Sequence, residues 1–121
     1  MKIFKIDEYV KMPNPNPGQP YRPEILTAEH GAKTLGGMFG LLAPETQVPY
    51  HYHHKRESVI IAISGEATEV IDGRESPIQA GDILFIPAGE KHTTINRSKK
   101  DFRYIEYFTY PPVGADFVEV K

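Results

Sequence analysis

The run Gly81-Asp-Ile-Leu-Phe-Ile-Pro87-Ala-Gly89-Glu-Lys-His92-Thr-Thr-Ile-Asn96 constrains this chain more than any other segment. Residues 82–86 have strand character, a Pro-x-Gly turn ends them, and a histidine opens the next run. Proline removes a backbone donor and glycine admits positive φ, so the chain reverses here instead of extending. The same grammar recurs along the sequence. Val59–Ile63 is a buried β run that Ser64-Gly65 turns, Glu66–Ile71 pairs back, and Asp72-Gly73 signals a tight hairpin. Ile83–Ile86, Thr93–Asn96 and Phe102–Tyr110 complete the set. No stretch sustains a 3.6-residue apolar period. Strands this frequent, punctuated by Gly and Pro, predict an all-β sandwich or barrel.

The 121 residues suffice for one domain with one core. Lys2–Ile6 reads as a short edge strand. Residues 13–23, Pro-Asn-Pro-Asn-Pro-Gly-Gln-Pro-Tyr-Arg-Pro, cannot form a helix or an inner strand. Residues 1–23 are therefore expected to form an N-terminal strand and Pro-rich arm, and residues 24–121 the barrel. The arm is stiff, and it is expected to lie over the barrel as a wall at the mouth of the site. Glu24–Ala28 is short and apolar-rich, and His30-Gly31 closes it. Leu35–Leu42 carries three glycines, which predict either bulges or close backbone approach. Pro44–Pro49 is a turn. Met38 and Phe39 are candidates for the core or a pocket wall.

Composition excludes several function classes. The formal net charge is -2, with acids and bases interspersed, so nothing points to nucleic acid or an anionic membrane. There is no cysteine, which removes disulfides and thiolate chemistry. The first residues are charged and no segment has the length of a membrane span, so a cytoplasmic protein without a signal peptide is expected.

Three histidines carry the chemistry. His51 and His53 stand at i and i+2, which in a strand places both imidazoles on one face. His92 stands at the start of another strand. Neutral imidazole is the commonest protein ligand for divalent transition metals. His54 follows His53 directly and should face outward; His30 sits in a turn with no site role.

The 81–96 run matches, position for position, the second motif of the cupin superfamily, G-x5-P-x-G-x2-H-x3-N. Residues 44–65 partly match the first motif, G-x5-H-x-H-x(3,4)-E-x6-G, through His51, His53 and Gly65. The chain thus resembles a small single-domain cupin of the conserved-barrel type. There are two departures. Glu45 stands where the motif has glycine. The motif's acid is ambiguous: counting from His53 reaches Glu57, whereas counting back from Gly65 reaches Ser58. If Gly65 fixes the register, Glu57 turns to the opposite face; a bulge could bring it back.

The resemblance implies a jelly-roll β-barrel and a divalent transition metal (Fe, Zn, Mn, Ni or Cu) held by His51, His53, His92 and Glu57. The alternative is a three-histidine site like that of cupins that bind iron without a carboxylate. It also implies a small-molecule ligand or substrate and a homodimer. The best reading of function is a metal-dependent enzyme with dioxygenase-type chemistry. The alternatives are a non-catalytic sugar- or metabolite-binding cupin and a sugar isomerase or epimerase. Along residues 102–110, Phe102, Tyr104, Glu106, Phe108 and Tyr110 share one face, and Arg103, Ile105, Tyr107 and Thr109 the other. Either face can be the inner one. Tyr104 and Glu106 are the candidate proton-transfer residues, with Tyr107 the alternative source of a tyrosine.

Overall fold

Glycine spacing organises the first long strand. In the computed structural model, which describes residues 1–121, strand β2 (Leu35–Leu42) runs without a bulge against the aromatic strand β9 (Phe102–Thr109). Eight consecutive pairs, Leu35 with Thr109 through Leu42 with Phe102, make up that ladder. Of the two expectations for the glycines, close approach is the one realised. A Cβ on Gly40 would lie 2.1 Å from the Tyr104 ring, and one on Gly36 would lie 2.6 Å from the Phe108 ring. Missing side chains on one strand make room for rings on the other.

The remaining strands complete two antiparallel five-stranded sheets. Here β1 is Glu24–Leu26, β3 His51–Tyr52, β4 Ser58–Ser64, β5 Glu66–Ile71, β6 Arg74–Gln79, β7 Ile83–Ile86, β8 His92–Ile95 and β10 Val118–Glu119. One sheet has the order β1-β2-β9-β4-β7 and the other β10-β3-β8-β5-β6. Between them lies a core of Met38, Leu42, Val48, Ile60, Ala62, Ala67, Ile78, Ile86, Phe102, Tyr104 and Phe108. This is the double-sheet jelly roll that the strand grammar predicts. The β5–β6 hairpin turns at Asp72-Gly73 with both residues at positive φ, 47° and 82°, the backbone twist that suits a two-residue connection. Gly65 is also obligatory: its φ is 82°, and a Cβ there would sit 2.4 Å from the Asp101 carbonyl oxygen.

The inner face of β9 is the even-numbered one. Tyr104, Glu106 and Phe108 are buried inside the barrel, whereas Ile105 and Tyr107 point outward with Phe39 and Leu41 of β2. That outer face is also covered. The N-terminal segment folds over it as a helix, α1 (Ile6–Lys11), placing Tyr9 on Phe39 at 5.4 Å between ring centroids and Phe4 on Tyr107 at 5.7 Å. The edge strand expected over Lys2–Ile6 is absent. Its apolar residues pack flat on a sheet face instead of pairing along an edge. Residues 13–19 of the Pro-rich arm lie mostly exposed at the surface, and the arm rejoins the sheet only where Tyr21 bridges Leu41.

Glu45 supplies the turn that the motif assigns to glycine. Its φ is 63°, so a glutamate occupies the left-handed region at some conformational cost. Its amide donates to Asn96 O at 2.7 Å. The Asn96 side chain in turn donates to Leu42 O and Lys100 O, each at 2.8 Å, and accepts from Ser98. The last residue of the 81–96 motif thereby fastens the end of β2 to the turn that leads into β9.

Two substitutions test this account. Gly40→Ala should destabilise the protein by about 1–3 kcal/mol, because the Tyr104 ring has no space to retreat. Glu45→Gly should leave stability unchanged or raise it by up to about 1 kcal/mol, as relief of φ strain offsets added unfolded-state entropy. Urea unfolding of both variants beside the parent checks the two signs together.

Candidate metal centre

The three sequence-predicted histidines meet in the structure. His51 and His92 are directly opposed across the β3–β8 pair, and His53 follows two residues after His51 on the same face. All three are buried. One side-chain nitrogen from each lies within 4.8 Å of the others. Ring centroids are 4.3 Å apart for His51 and His92 and 4.9 Å for His51 and His53.

What orients the rings is the partner of each Nδ1. His51 Nδ1 donates to Pro49 O at 2.6 Å, and His53 Nδ1 donates to Asp116 O at 2.5 Å. A carbonyl only accepts, so both Nδ1 atoms carry the proton and both Nε2 atoms keep a free lone pair. His92 Nδ1 faces Glu69 Oε1 at 2.7 Å, and Glu69 Oε2 accepts from Thr94 Oγ1 at 2.7 Å. His92 Nε2 is buried and has no hydrogen-bond partner in the protein. Three imidazoles with Nδ1 anchored, one of them with an orphaned inward Nε2, fit a divalent metal, and a carbonyl or carboxylate behind each ring is the usual support of such ligands.

Electrostatics favour the neutral form of His51 and His53. Burial, and secondarily the neighbouring His92, hold His51 down at about 3, although its bond to Pro49 O opposes the shift. Burial also lowers His53, against its bond to Asp116 O. Both rings resist protonation in the folded state.

Glu57 is not brought to the cluster. It is exposed and precedes β4, its amide bound to Thr109 Oγ1 and its carbonyl to Thr109 N. The register follows Gly65: Ser58 is buried, opposite Ile86 and Phe108, with its hydroxyl unpartnered. The ladder does shift between Ala62 and Ser64, but that irregularity at the far end of β4 leaves Glu57 facing out. His54 is exposed, and its ring lies edge-on to Tyr52. His30 closes a capping box with Thr27, outside the site.

Two parts of the site escaped the sequence reading. One is Glu69, the only acid hydrogen-bonded to a clustered imidazole. On β5 it shares the inner face with Ala67, and it sits diagonally from His92 because Ile71 opposes His92 and Glu69 opposes Thr94. Alternation with Ala67 was the available signal. The other is the C-terminal segment. Pairing of β10 with β3 lays Phe117 flat on His51, with centroids 4.3 Å apart and planes 17° apart. Phe117, and not the Pro-rich arm, therefore walls this side of the centre. Asp116, at φ 60°, accepts from the amides of His54, Lys55 and Arg56 at 2.8–2.9 Å. Buried Arg56 donates to the carbonyls of Thr109, Tyr110, Pro112 and Val113, which fastens the approach to that cap.

Fold and centre together define a double-sheet barrel with a buried three-histidine site. The chain belongs to the cupin family: the family model for the cupin domain matches residues 38–108. An oxalate-binding protein of Thermotoga maritima is 30% identical over 64 residues, and the match spans 53% of each chain, about half the length of that curated relative. A conserved protein with a double-stranded β-helix domain from Klebsiella pneumoniae has a TM-score of 0.80 at 24% identity, covering 100% of this chain and 98% of that one. The polyketide cyclase RemF of Streptomyces resistomycificus has a TM-score of 0.77 at 21% identity, covering 100% and 86%. At these identities the two structures share the fold.

Metal analysis of protein purified without an affinity tag should find up to one divalent ion per chain, and none in His51→Ala or His92→Ala. Glu69→Gln should weaken metal affinity about 10–100-fold, since it supports a ligand without being one. The acid limb follows from His51. Its folded value lies below its ordinary 6.5, so the unfolded chain takes up the proton first. Metal-free protein should therefore hold its stability above about pH 6.5 and lose it as pH falls toward about 3, at up to about 1.4 kcal/mol per unit of depression. Melting temperature against pH should fall less steeply in His51→Gln.

Proposed function

We propose that this chain is a metal-dependent enzyme that moves protons on a small oxygen-bearing organic molecule. The observation that carries the reading is the company of the three-histidine centre: Tyr104 and Glu106 project from the inner face of β9 into the same barrel interior. A divalent metal held by His51, His53 and His92 would supply a Lewis acid that polarises a substrate oxygen. The residues of the chain do the rest. Burial raises the Tyr104 hydroxyl above its ordinary value, so it stays protonated at neutral pH and serves as a hydrogen-bond or proton donor. Glu106 is buried on the same face two residues on, and it is the candidate proton acceptor. Phe117 and the inner aromatic residues keep bulk water from the centre.

The second reading, a dioxygenase-type reaction, rests on the outward position of Glu57. A centre of three imidazole nitrogens has no carboxylate ligand and keeps positions open for a chelating substrate and O2. The comparisons include both enzymes and a binding protein, and none of those named here is a dioxygenase. RemF is a polyketide cyclase, another fold relative is a sugar phosphate isomerase from Silicibacter pomeroyi, and the Thermotoga relative is an oxalate-binding protein.

We also propose a homodimer. β7 is the outermost strand of its sheet, and on the outer face Ile83, Phe85 and the paired Val59 are exposed. A second copy of the same edge would extend the sheet and cover these side chains. No helix is long and apolar enough to cross a membrane.

A screen of diketones, catechols, thiol acids and sugar phosphates separates the readings, with Zn, Mn, Ni, Fe(II) or Cu returned to stripped protein. Turnover with redox-inert Zn supports proton transfer, and Tyr104→Phe and Glu106→Gln should then each slow it by about 10²–10⁴-fold with metal content unchanged. Turnover confined to Fe or Cu with O2 uptake supports the dioxygenase. Ligand-induced stabilisation without turnover under any metal supports a binding protein. Light scattering should give about twice the 13.7 kDa chain mass, and Phe85→Glu should restore a monomer.

A further inference from the structure

The histidine centre is closed. His51, His53 and His92 are each at most 4% exposed, and the principal clefts of the surface, of about 380 to 590 Å³, are lined by other residues. An ion or a ligand therefore reaches the centre only if something moves, and the segment lying over it divides into a fixed part and a light one.

Residues 109–113 are the fixed part. The Arg56 guanidinium binds the carbonyls of Thr109, Tyr110, Pro112 and Val113. Val113 N donates to Glu24 Oε1 at 3.1 Å, and its side chain packs against the core. Residues 115–121 are different: none of them is buried and none joins a hydrophobic cluster. Between the two parts stands Gly114, exposed, with open space where a Cβ would be. Glycine has the widest backbone freedom, so the chain turns there at little cost.

What holds residues 115–121 down is short and mostly polar. β10 is only two residues long, Val120 N donates to Tyr50 O at 2.8 Å, and the Phe117 ring lies on His51. Asp116 supplies the rest. Its carboxylate takes the amides of His54, Lys55 and Arg56, and its carbonyl takes His53 Nδ1. A segment with few buried apolar contacts stands at the low-stability end of a fold and opens locally.

We propose that residues 115–121 are a gate over the histidine centre, hinged at Gly114 and latched by Asp116. Opening lifts Phe117 off His51 and uncovers the cluster to an entering ion or small molecule. Closing shuts out water and returns the acceptor of His53 Nδ1. Because the latch residue also orients a ligand, an ion on His53 and a closed gate favour each other. The gate rests on the metal-centre reading above and adds how that centre is reached.

The test needs neither turnover nor substrate. Metal-free full-length protein is treated with diethyl pyrocarbonate, and modification of each histidine is read by peptide mass spectrometry, with exposed His30 as the internal standard. A disulfide locks the gate. Tyr52 and Val118 are directly opposed in the β3–β10 pair, and the chain has no cysteine of its own, so Tyr52→Cys with Val118→Cys forms only that bridge within the chain. Tyr52 alternates with His51 and His53, so the bridge stands on the face away from the cluster. After oxidation the double variant should label His51, His53 and His92 at least about tenfold more slowly than after reduction, since labelling tracks the open population. Asp116→Asn keeps a residue that tolerates φ 60° and takes the charge out of the three amide bonds. It should label the cluster about tenfold faster than the parent, with circular dichroism checking that the barrel is intact. Equal labelling of the oxidised and reduced double variant overturns the gate, because the reagent then arrives by another route. An Asp116→Asn rate equal to the parent's overturns the latch. Zn(II) added to the parent should shield the three histidines from the reagent. Unshielded histidines in a parent whose locked form behaves as expected overturn the metal reading and leave the gate standing.

Discussion

The β2–β9 ladder is the interaction on which both the fold and the site depend. Its inner side is closed by rings lying over glycines, Tyr104 on Gly40 and Phe108 on Gly36. Its outer side carries Phe39, Leu41 and Ile105 under the N-terminal helix. Burying side chains of this size contributes roughly 1.5–3 kcal/mol each. A strand covered on both faces cannot slip by one residue without turning every ring to the wrong side. That locked register delivers Tyr104 and Glu106 to the interior. It also fixes the arm, because Tyr21 and Pro23 bond to β2 and leave Arg22 no direction but inward.

The metal centre is a product of the second sheet. Cross-strand opposition of His51 and His92 brings two rings together, and the third comes from the two-residue repeat of an extended chain. Geometry alone would leave each imidazole free to rotate. Three acceptors from three places, Pro49, Asp116 and Glu69, remove that freedom and fix the protonated nitrogen. Burial then keeps His51 and His53 neutral, which is the state that ligates. The centre is thus prepared by the protein before any ion arrives, at the cost of sensitivity to acid.

The two ends of the chain divide the work of enclosing this interior. The N-terminal segment covers the outside of one sheet and sends a single arginine in. The C-terminal segment covers the centre itself, with Phe117 on His51 and Asp116 gripping the amides that follow His53. Arg56 ties the two together: its backbone amide belongs to the loop that Asp116 holds, and its side chain holds the carbonyls of the segment that carries Asp116. Removal of either partner frees both.

The sequence alone determined the parts whose information is local. Turn chemistry at Gly65, Asp72-Gly73 and Pro87-x-Gly89 marked the strands, and strand alternation put His51 and His53 on one face. The motif spacing added His92. These follow from φ preferences and a two-residue period, which a linear chain displays. Tertiary structure decided whatever depended on which strands are neighbours. It chose the inner face of residues 102–110 and close approach over bulges in β2, and it left Glu57 outside. Glu69 reached His92 only through the β5–β8 register, and Phe117 reached His51 only through β10. No spacing rule links residues 23 or 66 positions apart, because the sheet that brings them together is built from segments far apart in the chain.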